Sequence, residues 1–295
     1  MQVTWKNEHN ENITLKQFLR RHHVSQRMFK QLKYHGQLLI NKQPALPADV
    51  VTQADQVTIT LPDESEQQPL VADPTPLSLL YEDDYWLVVN KPAGISSVPG
   101  PSNRTTTLAN RIKAHLQQEQ AHAVAHLVTR LDYDTSGIVL AAKNRLAHSL
   151  IQPQIEHHLF DKEYLAVVSG QLTDDTGLID APIGRLDDGP RRGVTANGQS
   201  AQTKYQVLQR FAQATLVKVQ LITGRTHQIR VHFAYLGHPL LGDQLYGGPL
   251  QLGIKRQALH AWQLTFTDPI TLVKRTFEAP LPTDMQTLLM QLKKQ

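Results

Sequence analysis

No cysteine occurs anywhere in the 295 residues. That excludes a disulfide framework and a thiolate zinc site, and it fits a reducing compartment, so a cytoplasmic location is the expectation. No uninterrupted apolar stretch approaches the roughly 20 residues that a membrane span needs. The N-terminus, MQVTWKNEHNENITL, lacks the basic head and apolar run of a secretory signal. A membrane partner is therefore not expected. Also missing are a G-x-S-x-G elbow, a G-x-x-x-x-G-K-[ST] phosphate cradle and a G-x-G-x-x-G dinucleotide fingerprint. His227, His232 and His238 with Asp243 lack the i, i+4 spacing of the zinc-protease motif and its glutamate. Neither a metal nor a cofactor is expected, and what remains for chemistry is carboxylate, guanidinium and phenol.

The formal net charge is +4, and all of it sits at the front of the chain: through Pro62 there are eight Lys and Arg residues against four acids. Such asymmetry points to a polyanion partner for that segment. Leu15, Phe18 and Leu19 keep helical spacing, Ser25 is a plausible N-cap, Met28, Phe29 and Leu32 repeat the stripe, and Gly36 is a good stop. LLIN and VTITL then read as strands around a turn at Gln43 and Pro44. Between Lys16 and Lys33 there are six bases and no acid; Lys16 with Arg20, and Arg27 with Lys30, share helix faces that could track phosphates. Residues 1–62 are expected to form one small domain and the acidic, proline-bearing stretch 63–76 a linker. Residues 77–295 should be a second domain, α+β, built on a mixed and largely antiparallel sheet with flanking helices, since short strands do not alternate regularly with long helices.

Four stretches of the second part carry polar residues in unusual concentration: VVNKPAGISS at 88–97, TRLDYDTSG at 129–137, KEYLAVVSG at 162–170 and TGRTHQIRVHFAYLGHPLLGD at 223–243. TRLDYDTSG lies between apolar flanks, and local grammar reads it equally well as a plain turn or as a loop that holds a reacting group. In the last stretch Gly224 ends a strand and Thr226 caps a helix. Ile229, Phe233 and Leu236 form its buried stripe, and Gly237 stops it. His227 and Arg230 would then look from a neighbouring face into a cleft.

These words, with KPAG, GHPLLGDQLYG and ALHAWQL, closely resemble the RluA/RluD type of pseudouridine synthase over about residues 80–282. LKQFLRRHHVSQRMFKQLKYHGQLLIN in front of them resembles the small α-L RNA-binding domain. The resemblance implies an isomerase that turns uridine into pseudouridine in structured RNA, with large-subunit ribosomal RNA favoured and transfer RNA as the alternative; a non-catalytic RNA-binding protein is the rival. It implies RNA as partner, with no obligate protein partner.

Carried over by position, the resemblance makes Asp132 the essential carboxylate, Arg230 its ion-pair partner through two parallel hydrogen bonds, and Tyr164 the aromatic residue on the uracil. Arg130 becomes the arginine associated with the space that the extruded base leaves. His227 and Leu259 are expected at the substrate, and Lys16, Arg20, Arg27, Lys30 and Lys33 at RNA phosphates. Asp134 reads as structural, with Thr135, Ser136 and Gly137 bracing the loop through local hydrogen bonds. Two departures are visible: Thr129 stands where many relatives carry His, and Gln199 where Lys is commoner. A glycosidase would need a second carboxylate, and Asp134 is too close in sequence to flank a substrate.

Overall fold

The computed structural model describes residues 2–61, 70–118, 124–186, 189 and 191–294. Val3 and Trp5 are buried between exposed neighbours, the period-two signature of strand Gln2–Lys6. This strand pairs with Gln56–Thr60, which pairs in turn with Gln37–Ile40, and Gln37–Ile40 pairs on its other side with the short Gln43–Pro44. Two helices, Leu15–Arg21 and Gln26–His35, cover the sheet. Thr14 caps the first: its Oγ1 accepts from the Gln17 N–H at 3.2 Å while the Gln17 Oε1 accepts from the Thr14 N–H at 3.0 Å. Ser25 caps the second, accepting from the Met28 N–H at 3.2 Å. Gly36 caps its end in extended backbone, its N–H bonding the Leu32 carbonyl at 3.1 Å, and the position suits glycine because a β-carbon there would stand 2.5 Å from the Thr60 carbonyl oxygen.

Phe18, Leu19, Met28 and Leu32 form a core with Trp5, Val57 and Ile59. Leu146 and Leu150, from the helix Arg145–Glu156, close the same cluster. Apolar burial therefore seats the N-terminal unit on the rest of the chain. Of the expected linker, residues 63–69 lie outside the described residues. Its end is tied to the helix Leu108–Leu116, where Asn110 Nδ2 donates to the Val71 carbonyl at 2.7 Å and Arg111 Nε reaches Asp73 Oδ2 at 3.3 Å.

The remaining chain is built on a ten-stranded sheet. Across it run Thr176–Asp180, Gln202–Arg210, Ala214–Leu221, Asp161–Ser169, Leu259–Thr267, Ser136–Ala142, Trp86–Lys91 and Leu79–Glu82, with Lys274–Glu278 and His126–Leu127 paired outside this path. Every pairing is antiparallel except that of Ser136–Ala142 with Leu259–Thr267, so the sheet is mixed and largely antiparallel, as expected. The parallel contact sits at the centre, where Ser136 and Gly137 face His260 and Ala261. Gly137 has φ +113°, and a β-carbon on it would collide with the Ala261 carbonyl oxygen. Only glycine allows the loop before it to turn directly into the middle of the sheet.

The helix Gln228–Tyr235 departs from expectation. Its N-cap is His227, in left-handed backbone at φ 58°, and no side chain caps it, so Thr226 does not have the role given to it. Gln228 through Phe233 are all buried, whereas Leu236 is 38% exposed. The one-sided stripe is replaced by a helix enclosed on every side from Gln228 to Phe233 and exposed at its Tyr235 end. Its polar residues are tolerated because they are bonded. Gln228 Oε1 accepts from Thr223 Oγ1 at 2.8 Å, Gln228 Nε2 donates to the Gln202 carbonyl at 2.9 Å, and His232 Nε2 donates to the Ala181 carbonyl at 3.0 Å.

Candidate active site

Asp132 lies in the loop that feeds the central strand, and almost nothing local holds that loop. Within it only the Thr135 N–H closes a turn, onto the Asp132 carbonyl at 3.1 Å. Ser97 Oγ accepts from the Leu131 N–H at 2.9 Å and donates to the Leu131 carbonyl at 2.7 Å. Lys91 is fully buried, and its Nζ donates to the carbonyls of Pro92 at 2.9 Å, Ile95 at 2.8 Å and Tyr133 at 3.1 Å. Burial pushes its ammonium down to about 7, while the charges of Asp132 and Asp134 pull the other way. Arg256 Nη1 donates to the Asp134 carbonyl at 2.9 Å, and Gln257 Nε2 to Thr135 Oγ1 at 3.3 Å.

His260 Nε2 faces the Ala279 carbonyl, which can only accept, so Nδ1 is the acceptor of the Ser136 hydroxyl at 2.9 Å. The expected local bracing by Thr135 and Ser136 is thus replaced by bonds to distant segments. Thr129, in place of the commoner histidine, uses its hydroxyl to accept from the Leu140 N–H at 2.9 Å.

The loop opens on a cleft of about 570 Å³ that brings Arg130, Asp132, Tyr164, His227 and Leu259 together. Arg230 Nη1 stands 3.4 Å from Asp132 Oδ2, and His227 Nε2 stands 3.9 Å from the same oxygen. The two parallel bonds expected between Arg230 and Asp132 go instead to Asp243: Nε to Oδ2 at 2.7 Å and Nη2 to Oδ1 at 2.9 Å. The Asp243 side chain is wholly buried, and Arg230 also lies over the Tyr246 ring, 5.0 Å from its centroid. Burial works against the Arg230 charge, but the Asp243 bonds and charge, with that of Asp132, more than offset it and hold its pKa above the ordinary value. Asp243 therefore fixes the guanidinium, and one remaining amino group is left for Asp132.

Tyr246 completes this support. Its hydroxyl accepts from the Arg192 N–H at 3.0 Å, and we assign its own proton to His227 Nδ1, 2.9 Å away. His227 then presents Nε2–H towards Asp132. Burial lowers the His227 pKa against the pull of Asp132, which keeps the imidazole neutral near pH 7.

Tyr164 is 7% exposed, yet its hydroxyl has no hydrogen-bond partner among the described residues and lines the cleft. Burial first, and the Asp132 charge second, push its pKa up, so the phenol keeps its proton. Leu259 is buried in the same wall, and Arg130 is exposed at the mouth.

The five cations expected at phosphates lie apart from this cleft. Lys16, Arg20, Arg27, Lys30 and Lys33 are all exposed on the two N-terminal helices, and none has an acidic partner among the described residues. Gln199 is exposed and pairs through its backbone with Ile183. His232 and His238 bond to Thr203 and to the Ser169 carbonyl. Asp243 and Tyr246 were missed as members of the site. The available signal was that an arginine buried in a helix needs a carboxylate, and GHPLLGDQLYG supplies one next to a tyrosine.

Residues 85–235 match the RNA pseudouridylate synthase family. The uncharacterized RNA pseudouridine synthase YjbO of Bacillus subtilis (strain 168) is 43% identical over 279 residues, covering 94% of this chain and 98% of that protein. The ribosomal large subunit pseudouridine synthase D of Nitrosomonas europaea is 42% identical over 236 residues, 77% of this chain and 67% of its own length. Among solved structures, human RNA pseudouridylate synthase domain containing 4 superposes with a TM-score of 0.63 at 27% identity, over 73% of this chain and 93% of that one. With a carboxylate, a guanidinium and an open phenol converging on one cleft at the centre of such a sheet, the chain belongs to the RNA pseudouridylate synthases of the RluA/RluD type, enzymes that isomerise uridine in RNA.

Proposed function

We propose that the chain forms pseudouridine in large-subunit ribosomal RNA, with Asp132 as the reacting carboxylate, Arg230 as its cationic neighbour and Tyr164 as the face that holds the base. The observation that carries this reading is the 3.4 Å approach of Asp132 to an arginine already locked on Asp243. The names of relatives that act on the large ribosomal subunit support the RNA class.

A uridine inside folded RNA is first extruded, at a cost of a few kcal/mol, and Arg130 at the mouth occupies the space it leaves. Asp132 then attacks the anomeric carbon or takes the C2′ proton; either route uses the carboxylate, and Arg230 Nη1 stands 3.4 Å from it. Tyr164 and Leu259 hold the detached uracil while it turns. His227, neutral, orients Asp132 and the sugar.

Residues 1–62 act as a separate α-L RNA-binding domain joined by residues 63–76 to the catalytic part, 77–295. Lys16, Arg20, Arg27, Lys30 and Lys33 contact phosphates without reading sequence. The cytoplasm is the compartment that fits an RNA substrate and a cysteine-free chain, and RNA is the only partner this chemistry calls for.

The test is to map pseudouridines in ribosomal and transfer RNA from cells with and without the protein. Loss of sites in large-subunit RNA is expected; loss only in transfer RNA would reassign the substrate. Asp132→Asn should abolish pseudouridine formation while leaving RNA affinity within about tenfold, and retained turnover would remove Asp132 from its role.

A further inference from the structure

Lys162 begins the motif that contains Tyr164 and lines the same cleft. It is partly buried, and among the described residues its ammonium makes no hydrogen bond and no ion pair. Its Nζ lies beside the loop that follows the neighbouring strand Ala214–Leu221, where a β-carbon built on Gly224 would stand 3.8 Å from it. Burial alone holds its pKa below the ordinary lysine value, with no carboxylate acting to restore it. The other cations at the cleft are differently placed: Arg130 is exposed at the mouth, Arg225 donates to the Ser200 carbonyl, and Arg230 is committed to Asp243 and Asp132. A cation that is partly withdrawn from water and left without a partner is unfavourable until an anion arrives.

The reaction supplies that anion. When the C1′–N1 bond breaks, its electron pair stays on N1 and the uracil becomes an anion, with the charge spread over O2 and O4. Asp132 loses its own charge in the same step, either as an ester with C1′ or by accepting the C2′ proton. Negative charge thus passes from the carboxylate beside Arg230 to the base held at Tyr164. Rejoining uses the pair on C5 to form the C1′–C5 bond and releases Asp132, or returns its proton to C2′. The C5 proton then leaves and N1 gains one, which closes the balance without any other reactant.

Resting on the assignment of Asp132 and Tyr164 above, we infer that Lys162 is a further catalytic residue whose ammonium stabilises the detached uracil anion, as Arg230 stabilises the carboxylate before bond breaking. Groups aimed at charge that develops during a reaction commonly contribute on the order of 10²-fold to the rate.

The experiment measures single-turnover pseudouridine formation at saturating RNA, together with RNA affinity against salt, for Lys162→Met, Lys162→Arg and Asp132→Asn. Methionine keeps the aliphatic stem without the charge. Lys162→Met is expected to slow the step about 10²-fold with affinity and salt slope unchanged, and Lys162→Arg to recover part of that rate. An unchanged rate with weaker binding and a salt slope flatter by about 0.7 to 0.9 would identify a phosphate contact and overturn the inference. So would a wild-type rate and affinity. If Lys162→Met fails to fold, as judged by thermal unfolding, Lys162→Gln takes its place: a loss of about 10²-fold with unchanged affinity supports the inference, and a wild-type rate overturns it. Loss of turnover in Asp132→Asn beside a normal Lys162→Met defeats only this inference; normal turnover in Asp132→Asn defeats the site on which it rests.

Discussion

The caps of the two N-terminal helices close over three residues of sequence, Thr14 to Gln17 and Ser25 to Met28. The bonds that hold the Asp132 loop reach 34 residues back to Ser97 and 122 residues forward to Arg256 and Gln257. A helix capped by its own neighbours can form wherever its apolar face finds cover. The loop has its shape only when the central sheet, the Lys91 turn and the segment around Arg256 are all assembled. The cations of the two regions differ in the same way. On the N-terminal helices Lys16, Arg20, Arg27, Lys30 and Lys33 are exposed and free to meet an outside anion, whereas Arg230 and Lys91 are buried and direct their N–H groups at the protein itself.

Beyond Asp132 itself, the largest effect should therefore come from a residue that touches no substrate in the proposed site. Asp243→Asn leaves the Arg230 guanidinium buried without its bidentate partner, and breaking a buried pair from one side costs about 3–5 kcal/mol. It should lower stability by that order in chemical unfolding and slow single-turnover pseudouridine formation at least 10²-fold, since Arg230 would lose its fixed aim at Asp132. Arg230→Lys should do similar harm, because an ammonium cannot span the two Asp243 oxygens. If either variant kept wild-type turnover, the contrast between a self-committed cation in the cleft and free cations on the helices would lose its functional meaning.

Next come two histidines, one in each region, that burial lowers to about 4. His22 sits 4.9 Å from the Trp5 ring and 4.4 Å from the Phe18 ring. His260 bonds on both sides, to Ser136 and to Ala279. In each case the unfolded chain, at about 6.5, takes up a proton more readily than the folded one. The stability each contributes is complete above pH 6.5 and is lost as the pH falls towards 4. At about 1.4 kcal/mol per pH unit, that interval caps each contribution at about 3 kcal/mol. His22→Phe and His260→Asn should each flatten the fall in unfolding free energy over that window. Only protonation of His260 should cost turnover as well, since it takes away the acceptor for Ser136 at the root of the loop. Equal losses of turnover from both would erase the distinction.

What could be read from the sequence follows the same division. Ser25, Gly36 and the LLIN and VTITL strands are local signals and occur where expected. The convergence of Asp132, Tyr164 and His227 on one cleft with Arg230 beside Asp132 came from motif resemblance, because no local rule brings residues 98 apart within 3.4 Å. Where pattern and environment conflicted, environment prevailed. The helix Gln228–Tyr235 is buried on all sides from Gln228 to Phe233, so its hydrophobic period says little about which side chains face inward. Asp243 was legible only as part of a possible metal set, since its partner lies 13 residues earlier on another element. The Gln2–Lys6 strand was missed although Val3 and Trp5 carried the alternation, because five residues are short for a pattern to stand alone.

On the exposed side, replacing Lys16, Arg20, Arg27, Lys30 and Lys33 together by Gln should weaken RNA binding and flatten the plot of log affinity against log salt by about 0.7 to 0.9 for each phosphate no longer neutralised. The rate at saturating RNA should not change, and a changed rate would tie this face to the cleft. The smallest effect is expected from Ser25→Ala, which removes the acceptor for the Met28 N–H and costs about 1 kcal/mol. That loss should appear in thermal unfolding while the pseudouridine rate stays at its wild-type value, because the second helix orients only the outer cations. A fall in the saturated rate from so local a change would mean that the N-terminal unit and the Asp132 loop are coupled through the catalytic part's side chains in the N-terminal core, Leu146 and Leu150 among them.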